Sequence, residues 1–168
     1  VYKRQSTGPK TFSISEQSLQ SLLAQHIDKP ITLMKVIHIQ LSNPSVKLDE
    51  KTNRLNALID TQFKSPWLSK ALNGKIHISG ILNYIESEKS LILDKTKVES
   101  IQINGLDEKH NEALSTLAQQ IGGELLSNLP LYRVKPEDLR YGNTDYLPQS
   151  FKIIGNQLQV TLLPKPAP

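Results

Sequence analysis

The sequence predicts an α+β fold: a curved antiparallel sheet, made of a four-stranded meander and a C-terminal hairpin, packed around one long amphipathic helix, with a shorter N-terminal helix. Two patterns support this prediction. Apolar residues alternate with polar ones through much of 37–103, as is typical of half-buried strands. The apolar residues of 114–125 recur instead at helical spacing. We therefore expect this helix and the sheet to face each other across one aliphatic core.

Composition narrows the classes of function. A chain of 168 residues fits one domain, and it contains no cysteine, which excludes disulfides and thiolate chemistry. The net charge is +4, but Lys3, Arg4 and Lys10 lie in the first ten residues without an acid beside them. Removing these three leaves 17 basic residues against 16 acidic ones. Because the remainder is nearly neutral, it lacks the basic face typical of nucleic-acid-binding domains.

The chain divides into three parts. Residues 1–10 are polar, contain a Gly-Pro pair and predict a flexible basic tether. Residues 11–164 predict a single α+β domain, and 165–168 predict a frayed tail. The tether has two interpretations that the sequence leaves open: a solvated leader, or a segment attracted to anionic lipid. Because the chain starts at Val1, we expect that a signal segment has been removed.

The first helix is predicted after a short extended entry. Ser15 is a suitable N-cap, and Glu16 places a negative charge at the positive end of the helix dipole. Four apolar residues then share one helical face: Leu19, Leu22, Leu23 and Ile27. Pro30 ends the helix, because a proline lacks a backbone donor and clashes with the preceding turn.

Four consecutive strands follow, joined by short polar connections, which favours an antiparallel meander. Two of the connections are 49–53 and 86–90, both rich in charged and turn-forming residues. Val98 has the opposite parity to Leu93 and Ile101 in the alternating pattern. A β-bulge nearby would explain that change.

A crossover at 65–72 separates the two hairpins and contains Trp67, the only tryptophan. Asn73-Gly74 predicts a tight turn into the third strand. Gly80, in contrast, is interpreted as relief of crowding inside a curved strand.

The second helix has the strongest helical pattern in the chain. Asp107 can cap it, and Pro130 ends it. Its apolar face is formed by Leu114, Leu117, Ala118, Ile121 and Leu125. The pair Gly122-Gly123 costs about 1 kcal/mol per residue relative to alanine, so we expect a bend or a close backbone neighbour there.

A closing hairpin is predicted near the C terminus. Phe151 and Ile153 precede the turn Gly155-Asn156. Alternating apolar residues then follow at Leu158, Val160 and Leu162.

No arrangement of residues predicts catalysis. The four histidines, His26, His38, His77 and His110, do not have metal-ligand spacing. His38 and His77 could be neighbours on a solvent face, but a third ligand is not apparent. The acids lie mostly in turns and at helix starts, and the chain has no nucleophile elbow or phosphate-binding glycine loop. We therefore expect no catalytic residue, no metal, no cofactor and no enzymatic activity.

Several segments together resemble the YceB-like bacterial lipoproteins, a family of uncharacterised envelope proteins. They are TFSISEQSLQSLLAQHI, ILNYIESEKSLILDKTKVES, LLSNLPLYRV and IIGNQLQVTLLP, spread over residues 11–164. The resemblance implies a signal peptide and a lipidated cysteine that precede this chain. It implies a membrane anchor on the periplasmic side of a Gram-negative membrane. We expect the outer membrane in preference to the inner one, but the sequence itself does not distinguish them. The resemblance also implies a fold similar to one half of the tubular lipid-binding proteins, and it provides no catalytic residues.

The leading hypothesis is a non-catalytic envelope protein that binds a lipid or another apolar ligand in a groove between helix and sheet. The groove would be lined by the centres of the two apolar faces: Ile59, Ile78, Leu117, Ile121 and Leu125. Taken singly, each of these residues fits a closed core better than a groove. In that case the alternative is a structural or protein-interaction module, with Trp67 as its first candidate contact. A continuous apolar cavity above about 300 Å³ would favour ligand binding.

Overall fold

The computed structural model describes residues 8–27, 30–33, 35–66, 68–113, 116 and 129–166. The strands are β1 Lys10–Ser15, β2 Ile31–Leu33, β3 Ile37–Asp49, β4 Arg54–Lys64, β5 Leu72–Ile85, β6 Ser90–Ile103, β7 Leu129–Arg133, β8 Arg140–Tyr141, β9 Thr144–Ile154 and β10 Gln157–Pro164. Helix α1 spans Glu16–His26, and helix α2 is described over 108–113 and at Thr116. Two short 3-10 turns cover Glu86–Glu88 and Pro136–Leu139.

The strands form two antiparallel sheets. The six-stranded sheet has the order β2-β3-β4-β5-β6-β7, so that neighbours in sequence are neighbours in space. The predicted four-strand meander forms β3 to β6. The four-stranded sheet has the order β1-β10-β9-β8. Its β9–β10 hairpin turns at Gly155-Asn156 as predicted, but it pairs with β1 and does not extend the meander.

The predicted α+β class is wrong, because the protein is mostly β. Strands account for most of the residues that the structure describes, and among those residues no long amphipathic helix packs against a sheet. The strands are long, with 13 residues in β3 and 14 in each of β5 and β6. A sheet of this length can curl and bury much of its own apolar face. The Leu114–Leu125 stripe lies outside the described residues.

The six-stranded sheet curls around α1. Helix α1 contacts both β3 and β7, although three strands lie between them. In a flat sheet those two strands would be roughly 19 Å apart, at about 4.8 Å per strand. Leu19 and Leu23 of α1 are buried in the core that the inner face of this sheet forms. The short first helix therefore occupies the concave side in the described part of the fold.

Register shifts of the β-bulge type at four places contribute to the curvature of the six-stranded sheet. One lies in β3 beside Asn43, which has a φ of 49° and marks a shift in register with β4. Another follows His77 in the β5–β6 pairing, so that Ile78 faces Val98. The second bulge changes the parity of β6 at Val98, and the bulge predicted there is confirmed.

Two glycines allow close contact between neighbouring strands. Asn73-Gly74 was predicted as a turn, which is wrong, because both residues lie inside β5 and Gly74 faces Thr61 of β4. A β-carbon at Gly74 would collide with the carbonyl oxygen of Gln102. At Gly80 a β-carbon would come within 2.5 Å of the Leu93 side chain. The crowding predicted at Gly80 is therefore confirmed.

Helix α1 also covers the open edge of β3. Its N-cap is Ser15, as predicted, whose hydroxyl accepts a hydrogen bond from the Ser18 amide at 3.1 Å. Glu16 Oε2 accepts from the Leu48 amide at 2.8 Å, and Gln20 Oε1 accepts from the Val46 amide at 3.0 Å. One helical turn therefore matches two residues of strand. This contact occupies edge donors that could otherwise pair with another strand.

The turn between β3 and β4 joins the two sheets. Asn53 Nδ2 donates to the Phe151 carbonyl at 3.0 Å, and Asn53 Oδ1 accepts from the Ile153 amide at 2.7 Å. Beside it, Glu50 Oε1 accepts from the Gly155 amide at 3.0 Å. The side-chain amide of Asn53 thus provides the donor and acceptor that a neighbouring strand would offer to β9.

Replacing Glu16 and Gln20 together by alanine should lower the free energy of unfolding by about 2 kcal/mol, because each lost hydrogen bond contributes about 1 kcal/mol. Urea unfolding followed by circular dichroism measures the change. Gln17→Ala alters an exposed residue of the same helix and should shift the free energy by less than about 0.5 kcal/mol. Equal stability of the double variant and this control would contradict the edge-covering role of α1.

Asn53→Gly should lower the free energy of unfolding by about 2 kcal/mol through the loss of both hydrogen bonds to β9. Glycine is the substitution of choice because Asn53 has a φ of 57°, which glycine adopts without strain. Asn156→Gly places the same residue in another exposed turn and serves as the control in the same urea experiment. A loss of stability in the control as large as in Asn53→Gly would mean that backbone freedom, and not the inter-sheet contact, is responsible.

Candidate functional site

The structure places two of the predicted groove residues in the buried core. Ile59 and Ile78 are 0% and 1% exposed on the inner face of the six-stranded sheet. Both belong to the core cluster that contains Leu19 and Leu23. The cavities described below are lined by other residues. Ile59 and Ile78 therefore pack the interior in the part of the chain that the structure describes.

The remaining predicted contacts lie outside the described residues. They are Leu117, Ile121 and Leu125 for the groove and Trp67 for a protein partner. Their roles stay predictions. The start of the second helix is described, and Asp107 caps it as predicted, with its carboxylate accepting from the His110 amide at 2.8 Å.

An apolar cavity of about 300 Å³ lies between the two sheets, and we call it the inter-sheet cavity. One wall is the apolar face of the four-stranded sheet, where Phe12 faces Val160 and Val160 faces Phe151 across neighbouring strands. The other wall comes from the end of the six-stranded sheet and the second 3-10 turn. Its full lining is Phe12, Ile14, Leu91, Tyr132, Val134, Asp138, Leu139, Tyr141, Pro148, Phe151 and Val160.

The rim of the inter-sheet cavity is aromatic and reaches the surface. Phe12 is 40% exposed and Tyr141 is 41% exposed. The Tyr141 ring contacts the buried Tyr146 ring edge to face, with 5.3 Å between ring centres. Lys10 places its ammonium 5.9 Å from the centre of the Tyr141 ring. Exposed aromatic rings beside an apolar cavity are suited to contact with an amphiphilic molecule.

A second cavity, of about 750 Å³, adjoins the first and is lined by charged residues; we call it the charged cavity. Val134 and Leu139 line both cavities. The basic residues of the charged cavity are Lys89, Lys135, Arg140 and Lys165, and its acidic residues are Glu86 and Asp145. Cations therefore outnumber anions around it by four to two.

The second 3-10 turn, Pro136–Leu139, separates the two cavities and is held by one carboxylate. Asp138 Oδ2 accepts from the Tyr132 hydroxyl at 2.8 Å and from the Lys135 amide at 3.0 Å. The hydrogen bond to Asp138 raises the pKa of Tyr132 above its ordinary value. The Val134 amide also donates to the Lys89 carbonyl at 2.7 Å. The partition is therefore fastened to β7 and to the β5–β6 loop.

One ion pair, between neighbouring residues of β8 and β9, lines the charged cavity. Arg140 Nε donates to Asp145 Oδ1 at 2.9 Å, and both side chains are more than half exposed. This hydrogen bond lowers the pKa of the Asp145 carboxyl, and the charge of Lys165 lowers it further. Because the pair is solvated, it adds little stability. Its main effect is that Arg140 and Asp145 neutralise each other.

A third cavity, of about 410 Å³, lies on the polar face of the six-stranded sheet. Lys75 Nζ and Asp60 Oδ1 form an ion pair of 2.8 Å there, and Asn43 donates to the same carboxylate at 3.2 Å. The hydrogen bonds from Lys75 and then Asn43 lower the pKa of Asp60. Its carboxylate is thus already engaged with side chains of the sheet.

The histidines form no common site. His38 and His77 are not neighbours, because β4 lies between their strands. The His38 ring is 3.2 Å from the Thr32 hydroxyl, and His77 Nε2 is 2.9 Å from Asn56 Oδ1. Over the described part of the chain, no three histidine, aspartate or glutamate residues lie close enough together to hold a metal ion.

Sequence reasoning missed the inter-sheet cavity because its walls come from distant segments. Phe12 and Ile14 belong to β1, whereas Tyr132 and Val134 lie near β7, more than a hundred residues later. Both pairs show the spacing of two that is typical of one strand face, which is a detectable signal. Their meeting depends on the pairing of β1 with β10, which no local pattern predicts.

The comparisons with known proteins give a family and a weakly similar solved structure. No curated protein matches the chain. A crystal structure of a lipopolysaccharide binding protein is similar, with 13% identity and a TM-score of 0.39, over 96% of this chain and 51% of that one. This chain spans about half the length of that protein. None of the described helices combines the length and hydropathy required to cross a bilayer. A family model described as "Protein of unknown function (DUF1439)" matches residues 14–157, and the chain therefore belongs to that family.

Proposed function

We propose that this protein is a non-catalytic binding protein that holds the apolar part of a lipid in the inter-sheet cavity. The observation that carries the proposal is the lining of that cavity: eleven residues, of which Asp138 alone carries a charge. Its volume of about 300 Å³ is at the lower end of the range for small-molecule sites, about 300–1,000 Å³. Protein interiors are otherwise close-packed, with few voids larger than a water molecule.

The proposed site lies apart from the predicted groove between helix and sheet, which stays a prediction because three of its five residues are outside the described part of the chain. Ile59 and Ile78 pack the core, whereas the inter-sheet cavity has an aromatic rim that solvent reaches. A ligand can therefore contact Phe12 and Tyr141 before it enters. The Tyr132 hydroxyl is already bound to Asp138. Apart from Asp138 and the two tyrosine hydroxyls, the lining side chains are apolar and suited to contact with an acyl chain.

We also propose that the protein acts in the bacterial envelope as a lipid-anchored protein on the periplasmic side of the outer membrane. The support for this is the resemblance to the YceB-like lipoproteins. The residues before β1, which include Lys3 and Arg4, would then connect the anchor to the folded domain. These basic residues would attract anionic lipid by about 1 kcal/mol each near the surface.

Phe12→Glu should weaken binding of N-phenyl-1-naphthylamine, a neutral apolar fluorescent probe, by at least about tenfold, which corresponds to about 1.4 kcal/mol. The reason is that a carboxylate in the apolar wall must be desolvated when the probe binds. Fluorescence titration measures the dissociation constant. Ile154→Glu is the matched control, because Ile154 is 46% exposed in the same sheet and does not line the inter-sheet cavity.

The control variant should bind the probe like the unaltered protein. Equal weakening by both substitutions would show that the probe binds elsewhere or that the sheet has been disturbed, and it would contradict the proposed site. No binding of the probe to the unaltered protein would contradict the lipid-binding function. It would favour the alternative, a protein-interaction module.

The envelope location predicts a specific fractionation pattern in the bacterium that encodes the protein. The full-length product should enter the detergent phase of a Triton X-114 extraction, because two or more lipid chains anchor a protein stably. Protease added from outside should degrade it in spheroplasts and spare it in intact cells. Recovery in the aqueous phase, or protection in both preparations, would contradict the proposed location.

A further inference from the structure

We propose that the ligand is a single amphiphile whose acyl chain occupies the inter-sheet cavity and whose anionic headgroup binds in the charged cavity. The apolar half of this proposal rests on the proposed function. The new half is that the headgroup is anionic, which we infer from the residues that line the charged cavity.

The two cavities are neighbours with a common wall. Val134 at the end of β7 and Leu139 at the end of the 3-10 turn line both of them. A molecule that fills the apolar side therefore has its polar end beside the charged side. Asp138 fixes this wall through the Tyr132 hydroxyl and the Lys135 amide, so the arrangement exists before a ligand binds.

The charged cavity has an excess of positive charge. Arg140 and Asp145 neutralise each other at 2.9 Å. The remaining charged residues of the lining are Lys89, Lys135 and Lys165 against Glu86. The ion pairs found among the described residues involve none of these three lysines. These three lysines therefore give the described lining a positive charge that the single remaining acid does not balance.

The position of Lys165 is set by the backbone. Its amide donates to the Asp145 carbonyl at 2.7 Å, and its charge contributes to the lowered pKa of the Asp145 carboxyl. Lys89 is held in the same way, because its amide donates to the Glu86 carbonyl at 3.1 Å and its carbonyl accepts from Val134. Backbone hydrogen bonds thus fix the main chain of two of the three lysines beside the charged cavity.

Asp138 determines which end of the ligand enters the inter-sheet cavity. Its carboxylate lines the inter-sheet cavity, and a second negative charge placed there would be repelled. The lysines lie on the other side of the partition. An amphiphile with an anionic headgroup is therefore favoured with its chain toward Phe12 and its headgroup toward Lys135.

The experiment compares two lysophospholipids with the same 12-carbon chain as competitors of N-phenyl-1-naphthylamine. Lysophosphatidylglycerol carries a net negative charge, and lysophosphatidylcholine is zwitterionic. We expect the anionic lipid to displace the probe at a concentration about tenfold lower. Raising NaCl to about 0.5 M should reduce that preference, because salt screens exposed charges.

Two triple variants with the same loss of charge identify the residues responsible. Lys89, Lys135 and Lys165 changed together to glutamine should lower the preference to within about twofold. Lys47, Lys64 and Lys97, which are exposed on the six-stranded sheet, changed to glutamine should leave it intact. An equal loss in both variants would overturn the proposal, because the preference would then reflect net charge alone.

The outcomes separate this proposal from the proposed function. Normal probe binding with equal competition by the two lipids would overturn the headgroup assignment and leave the apolar site standing. Absence of probe binding would overturn both. Inorganic phosphate tests whether the site binds a free anion instead. If millimolar phosphate displaces the probe, and does so no longer in the first triple variant, the charged cavity is a phosphate site. That result would overturn the proposal of an amphiphilic ligand.

Discussion

A sheet with one apolar face must bury that face, and the structure of this protein depends on how its two sheets meet that requirement. The six-stranded sheet meets it by curling, so that α1 contacts strands near both edges. Two different faces of the helix contact the sheet. Leu19 and Leu23 enter the core, while Glu16 and Gln20 bind the open edge of β3. Apolar burial and edge protection thus come from one short segment.

The four-stranded sheet meets the same requirement less completely. Asn53 and Glu50 hold its hairpin end against the β3–β4 turn. Away from the hairpin end, the apolar face of the four-stranded sheet faces β7 and the second 3-10 turn. Asp138 sets the position of this turn. Polar contacts set the distance between the two sheets at both of these places. Between them the apolar side chains of the two sheets do not pack closely. The inter-sheet cavity is the space that results, which explains why it is apolar and yet reaches the surface.

Local patterns in the sequence predict the local structure well. The Ser15 cap, the hairpin turns, the bulge near Val98 and the crowding at Gly80 all depend on residues close together in the chain, and the structure has each of them. The fold class was wrong because the balance between strand and helix depends on strand length and curvature. Asn73-Gly74 shows the same limit: a good turn sequence is used inside a strand, because the close approach of Gln102 also requires a glycine.

The candidate site was harder to predict because its charged residues come from three separate regions of the chain. The net charge of the chain outside the tether is close to zero, and that average argues against any charged site. Lys89, Lys135 and Lys165 nevertheless meet at one cavity, since the β5–β6 loop, the second 3-10 turn and the end of β10 come together when the two sheets associate. A near-neutral composition therefore excludes a uniformly basic surface, but it does not exclude a local excess of cations beside an apolar cavity. That combination is the one that an anionic amphiphile requires.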